Sequence, residues 1–254
     1  MKNLALLALG VPLFVSLLVL PASALTVPER LVYDISWTGI KAGTAVQEVT
    51  SQGGELHIVS SARSAGWLNP IFAVDDRTES ILHRGSGAET LGTPRFYREK
   101  INEGKTHTRK EAQFDLPRLK VDTKDFLKKT EKTHDISART FDSLSSIYFV
   151  RSSELVLGKS IFIDIYDCKR LWNTEVQVVR REEISTPLGR FKTLVVKPLL
   201  KSEGFFARTG DVTVWLTDDS LRIPVRMTTK LKLGSITAEL VGGSYWPLQG
   251  SVKR

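Results

Sequence analysis

From Leu31 onward, apolar side chains keep returning at every second position. In "LVYDISW", Leu31, Tyr33, Ile35 and Trp37 fall on one side of an extended chain and Val32, Asp34 and Ser36 on the other. "ELHIVSSAR" alternates through Leu56, Ile58, Ser60 and Ala62. "DVTVWLT" sets Val212, Val214 and Leu216 against Thr213, Trp215 and Thr217. "RIPVRMTTKLKLG" sets Ile223, Val225, Met227, Leu231 and Leu233 against Arg222, Arg226, Lys230 and Lys232. Side chains of a strand point alternately to its two faces, so each stretch presents one dry and one polar face. Strands of a parallel sheet, covered on both sides, would read as unbroken apolar runs instead. The period therefore predicts a mainly β, antiparallel protein.

Turn-forming residues separate these runs. "TGIKAGT", "NEGKT" and "STPLG" supply the glycines and proline that hairpins need. One stretch follows a different period. In "FDSLSSIYFVRSS", Phe141, Leu144, Ile147 and Tyr148 share one side of a helix that Asp142 can cap, which predicts one short covering helix near 142–151. Residues 122–139 are polar without a clear period and read as a loop. No internal repeat or linker divides residues 25–254, which are read as a single β-rich domain.

Residues 1–24 are a separate object. Lys2 is a short basic head, Leu4 to Leu20 is nearly all apolar, and "PASA" places Ala22 and Ala24 where a signal peptidase requires small residues. The expectation is a signal peptide cut after Ala24 and a periplasmic protein of a Gram-negative-type envelope. Cys168 is the only cysteine, so no internal disulfide forms and the core must supply the stability. The formal net charge is +8, with many of the cations between 95 and 139. In an exported protein this favours acidic lipid head groups or acidic polysaccharide over nucleic acid as partners.

Chemistry is thinly marked. Phosphate loops, CxxC pairs and HExxH are absent, and His57, His83, His107 and His134 have no ligand spacing. No catalytic, cofactor or metal residue is assigned and no cofactor is expected. Asp218 and Asp219 lie between two alternating runs, where a turn is required. Neighbouring strand residues point to opposite faces, so the pair reads as a hairpin tip rather than a catalytic dyad. An apolar surplus remains in segments marked by glycine or proline. Trp67, Phe72, Phe205 and Phe206 are the candidate ligand-binding residues, at the mouth of a cavity or on an exposed patch.

"ERLVYDISWTGIKAGTA", "FDSLSSIYFVRS" and "EEISTPLGRFKTLVVKPLL…GFF…VWLTDDSLRIPVRMTTKLKLGSITAEL", in this order and spacing, resemble the bacterial exported family of unknown function 3108 (DUF3108). The resemblance implies an exported single-domain protein, one strongly curved antiparallel sheet of half-barrel or clamp form, and no catalytic residue. The reading that follows is a non-catalytic binding or envelope-maintenance protein holding a lipid or other amphipathic ligand on a concave sheet face. A structural module that docks envelope proteins is the alternative. The third reading is an envelope-glycan hydrolase in which Asp75, Asp76, Asp218 and Asp219 meet in a cleft.

Overall fold

A computed structural model describes residues 25–84, 91–199, 212–231 and 233–246. Among the described residues, fifteen strands form one sheet: β1 (Glu29–Trp37), β2 (Ile40–Gln52), β3 (Glu55–Ser64), β4 (Asp75–His83), β5 (Thr93–Glu103), β6 (Thr106–Asp115), β7 (Lys120–Asp125), β8 (Thr130–Asp135), β9 (Thr140–Asp142), β10 (Ser160–Tyr166), β11 (Leu171–Thr186), β12 (Gly189–Leu199), β13 (Val212–Thr217), β14 (Pro224–Lys230) and β15 (Ser235–Gly243). Two helices join them, the single turn α1 (Asn69–Phe72) and α2 (Ser145–Ser152). The strand order is β8-β7-β6-β5-β4-β3-β2-β1-β15-β14-β13-β12-β11-β10-β9. Every neighbouring pair is antiparallel except β9–β10 at one edge, which α2 connects.

The sheet curls on itself without closing. Side chains from β2 to β7 and from β9 to β13 enter one core, among them Val49, Leu56, Leu82, Phe114, Tyr166, Val176 and Leu194. The two limbs meet through side chains rather than a backbone ladder. Thr123 Oγ1 and Tyr166 OH are 2.7 Å apart, and Ser80 Oγ donates to Asp142 Oδ2 at 2.6 Å. Two corrections to the sequence reading follow. Residues 122–139 contain the β7–β8 hairpin, invisible as a period because β8 is an edge strand with polar residues on both faces. The alternation through Leu231 and Leu233 overshoots, because β14 stops at Lys230 and a turn follows in which Leu231 N donates to Gly234 O.

Helix α2 plugs one end of the curl. Asp142 accepts from Leu144 N and Ser145 N at 2.9 and 2.8 Å, occupying donors that the helix start leaves free. Tyr148 and Leu144 are buried in the core, as the predicted stripe requires. Arg151 forms a two-pronged pair with Glu29 of β1, both contacts at 2.7 Å and both side chains fully buried. At the other end the inward-facing side chains lose cover. Leu31, Val49, Leu56, Leu82 and Tyr97 are buried, whereas Ile35, Ala45, Ala62, Asp76 and Ile101 on the same strands and face are half-buried. The curl is thus plugged at one end and open at the other.

Candidate functional site: the open rim of the sheet

Turns from β1–β2, β3–β4, β5–β6, β7–β8 and β14–β15 stand at the open end, as do the ends Leu199 of β12 and Val212 of β13. Large apolar side chains are exposed there: Trp37, Ile40, Trp67, Ile71, Leu127, Leu199 and Leu233, with Ile71 and Leu233 more than three-quarters exposed. The rim is nevertheless tied together. Trp37 Nε1 donates to Leu233 O at 3.0 Å, Thr38 N to Ser235 O at 2.8 Å, and Trp67 Nε1 to Lys41 O at 2.9 Å. Gly234 has a positive φ of 83°, and a Cβ there would lie 2.0 Å from Thr38 Oγ1, so only glycine lets these two turns touch.

Of the four residues singled out from the sequence, Trp67 and Phe72 lie on this rim, in the segment between β3 and β4. Trp67 is half-exposed. Phe72 is half-buried and presses on Gly104, where a Cβ would meet its ring at 2.8 Å. Leu68, not singled out, is the buried plug of that segment. Phe205 and Phe206 lie outside the described residues, on the connection between the rim positions Leu199 and Val212. Residues 1–24, with the expected cleavage point, also lie outside them.

The carboxylates of the hydrolase reading have separate partners. Asp219 Oδ1 accepts from Thr217 Oγ1 at 2.7 Å and from Leu221 N and Arg222 N at 3.0 Å, fixing the β13–β14 turn. Asp218 pairs with Arg181 at 2.8 Å and Asp75 with Arg63 at 3.0 Å. Asp76 accepts Asn102 N at 2.8 Å and lies beside Glu103 on the next strand. Burial, then the Asp76 charge, pushes the Glu103 carboxyl up to about 7, and burial raises Asp76 as well. This pair sits on the inner face at the open end and had no signature in the sequence, since register alone joins its members.

Cys168 is buried in the turn after β10 with a positive φ of 61°, and burial holds its thiol far above the reactive range. Among the described residues, no group of three or more His, Cys, Asp or Glu is placed to hold a metal. About half of the cations in the basic stretch 95–139 are paired in place. Arg95 pairs with Glu55, Arg98 with Glu79 and Glu111, Arg118 with Asp115, Lys120 with Asp135 and Lys124 with Glu131. Lys110 points inward to Glu99 at 3.1 Å, which holds its proton despite burial. Lys105, Lys128 and Lys129 remain as exposed cations on the turns of the open end.

The family model for proteins of unknown function called DUF3108 matches residues 32–241, from β1 to β15. The chain belongs to the DUF3108 family. Among solved structures, this DUF3108 chain is similar to a β-barrel-like protein of the domain of unknown function DUF1849 from Brucella abortus, at 15% identity and a TM-score of 0.53, covering 85% of this chain and 97% of that one. A protein of YmcC-like fold from Bacteroides fragilis aligns at 10% identity and a TM-score of 0.31, over 85% of this chain and 95% of that one. None of the curated proteins matches the DUF3108 chain. The first similarity establishes the shared barrel-like fold. Among the described residues, no helix is long and apolar enough to cross a membrane.

Proposed function

We propose that the protein is a non-catalytic binding protein of the periplasm, exported with cleavage after Ala24, that holds the apolar part of a lipid or other amphipathic molecule at the open end of its sheet. The observation that carries this reading is the gathering of exposed Trp37, Ile40, Trp67, Ile71 and Leu233 where the inner wall is also half-uncovered. Burying one such side chain is worth about 1.5–3 kcal/mol, so a rim that leaves several in water favours a partner. Phe205 and Phe206, in the sequence between Leu199 and Val212, are proposed to contact the same ligand.

A second reading has its own support. The interior around α2 is filled by side chains, and two hollows of about 420 and 440 Å³ lie around Arg63 and Asp75 on the outer side. A filled interior with an apolar rim suits docking of another envelope protein. Native mass spectrometry of protein from its own host envelope separates the two. A lipid-sized adduct that is lost on Phe205→Ser and Phe206→Ser, with tryptophan emission responding to added fatty acid, is the expected result. No adduct and no emission change with several lipid classes would end the lipid reading and leave docking.

A further inference from the structure

The outer face of β4–β8 carries two cross-strand rows that treat charge in opposite ways. In one, Glu79 stands opposite Arg98, Arg98 opposite Glu111, Glu111 opposite Lys124 and Lys124 opposite Glu131. The signs alternate across five strands, with ion pairs at 3.6, 3.5 and 2.6 Å. Two residues along the strands, on the same face, Arg77 stands opposite Lys100 and Lys100 opposite Arg109. Three cations sit side by side where opposed side chains are about 5 Å apart at Cβ, and like charges so placed are destabilising. No carboxylate of the described residues pairs with any of the three. The Arg109 guanidinium lies over the Phe126 ring at 5.2 Å.

Two members of the row, Arg77 and Lys100, line a groove of about 440 Å³ together with Thr44, Val46, Ser61 and Arg63, and Arg109 lies beside Lys100 on the next strand. Asp75 in this groove is paired with Arg63, and the Asp76 carboxylate turns to the inner face, where it accepts Asn102 N. Hydroxyls and cations therefore face the groove beside the Arg63–Asp75 pair, and no carboxylate of the described residues is within ion-pair distance of the row. Guanidinium groups present forks that match phosphate oxygens, and charge-assisted bonds to phosphate are among the strong ones.

We infer that Arg77, Lys100 and Arg109 form a phosphate-binding site, for a phosphomonoester or phosphodiester group borne by a ligand. The site stands on register and charge alone. It deepens the proposed function, and rests on it, only in so far as the phosphate belongs to a lipid head group.

The test uses the full exported chain with inorganic pyrophosphate by calorimetry, and with phosphatidylglycerol or phosphatidylcholine vesicles by flotation, ionic strength being matched with chloride. Wild type should bind pyrophosphate, phosphatidylglycerol vesicles or both, and not phosphatidylcholine. Arg77→Gln/Lys100→Gln should weaken that binding at least tenfold, while melting no lower than wild type without ligand, because repulsion is relieved. Pyrophosphate alone would identify a soluble phosphate compound, and vesicles alone a head group. Binding of neither probe, or equal loss on Lys132→Gln at an exposed position of β8, would overturn the site. Lipid adducts retained by the double variant in native mass spectra would separate this site from the rim, so either can fail alone.

Discussion

Single residues account for the two most sensitive points of the open end. Glu103 and Asp76 hold each other's carboxyls above the usual range because register, not sequence proximity, places two half-buried carboxyls together. Glu103 holds its proton up to about pH 7 when folded, against an ordinary value of 4.5. The folded state therefore binds more protons than the unfolded chain across that interval. The resulting stabilisation is complete below about pH 4.5, shrinks as pH rises, and is gone above about pH 7. Glu103→Gln keeps a donor toward Asp76 without a titrating proton. Thermal melts of this variant should show a flatter pH dependence between about pH 5 and 8, with a higher melting temperature than wild type at the alkaline end. An unchanged pH slope would mean that Glu103 does not hold its proton above the usual range. The phosphate row depends on residues in the same way: Arg77, Lys100 and Arg109 are unremarkable in the sequence, and only the register that lines them up reveals them.

At the scale of elements, legibility follows which faces are buried. β1 and most of β14 were readable because apolar residues enter the core on one face and polar ones stand on the other, and β13 kept the same period although both of its faces are covered, Leu216 in the main core and Trp215 against the side chains around Val225. The β7–β8 hairpin was not, because only Val121 and Thr123 turn inward and β8 buries almost nothing. The one-turn helix α1 has no period to read, being four residues long with a proline, which is tolerated in the first turn of a helix but breaks one further in. Helix α2 was legible in its stripe and its Asp142 cap. Its anchor was not: Arg151 and Glu29 are far apart in the chain and meet only because β1 lies at the centre of the sheet. Removing one member of a buried ion pair strands the other, at a cost of about 3–5 kcal/mol. Arg151→Ala should lower stability by that amount in urea unfolding. Arg151→Met with Glu29→Met should recover much of the loss. A single variant as stable as wild type would show that α2 is held by its apolar stripe alone.

The whole molecule is one sheet whose seam lies where the chain passes from β8 to β9. These consecutive strands occupy opposite edges, while the first and last strands, β1 and β15, are paired in the middle. The segments flanking these two strands meet there too: Ser244 N donates to Arg30 O at 2.8 Å, and Tyr245 OH to Glu29 at 3.0 Å. Written from β9 through β15 and on from β1 to β8, every strand would lie beside its predecessor. The fold is thus a plain meander whose starting point has been moved into its centre, and it should tolerate having that point moved back. A circular permutant with the ends near Leu25 and Trp246 joined by a short flexible linker, opened between the exposed Ala138 and Arg139, should give the native far-UV circular dichroism spectrum and a cooperative melt. Failure to fold would mean that the β8-to-β9 crossing holds the two limbs together. Success would mean that their shared core suffices, and that the native order of synthesis makes the centre strand wait for its last partner, Ser235–Gly243, before either edge is sealed.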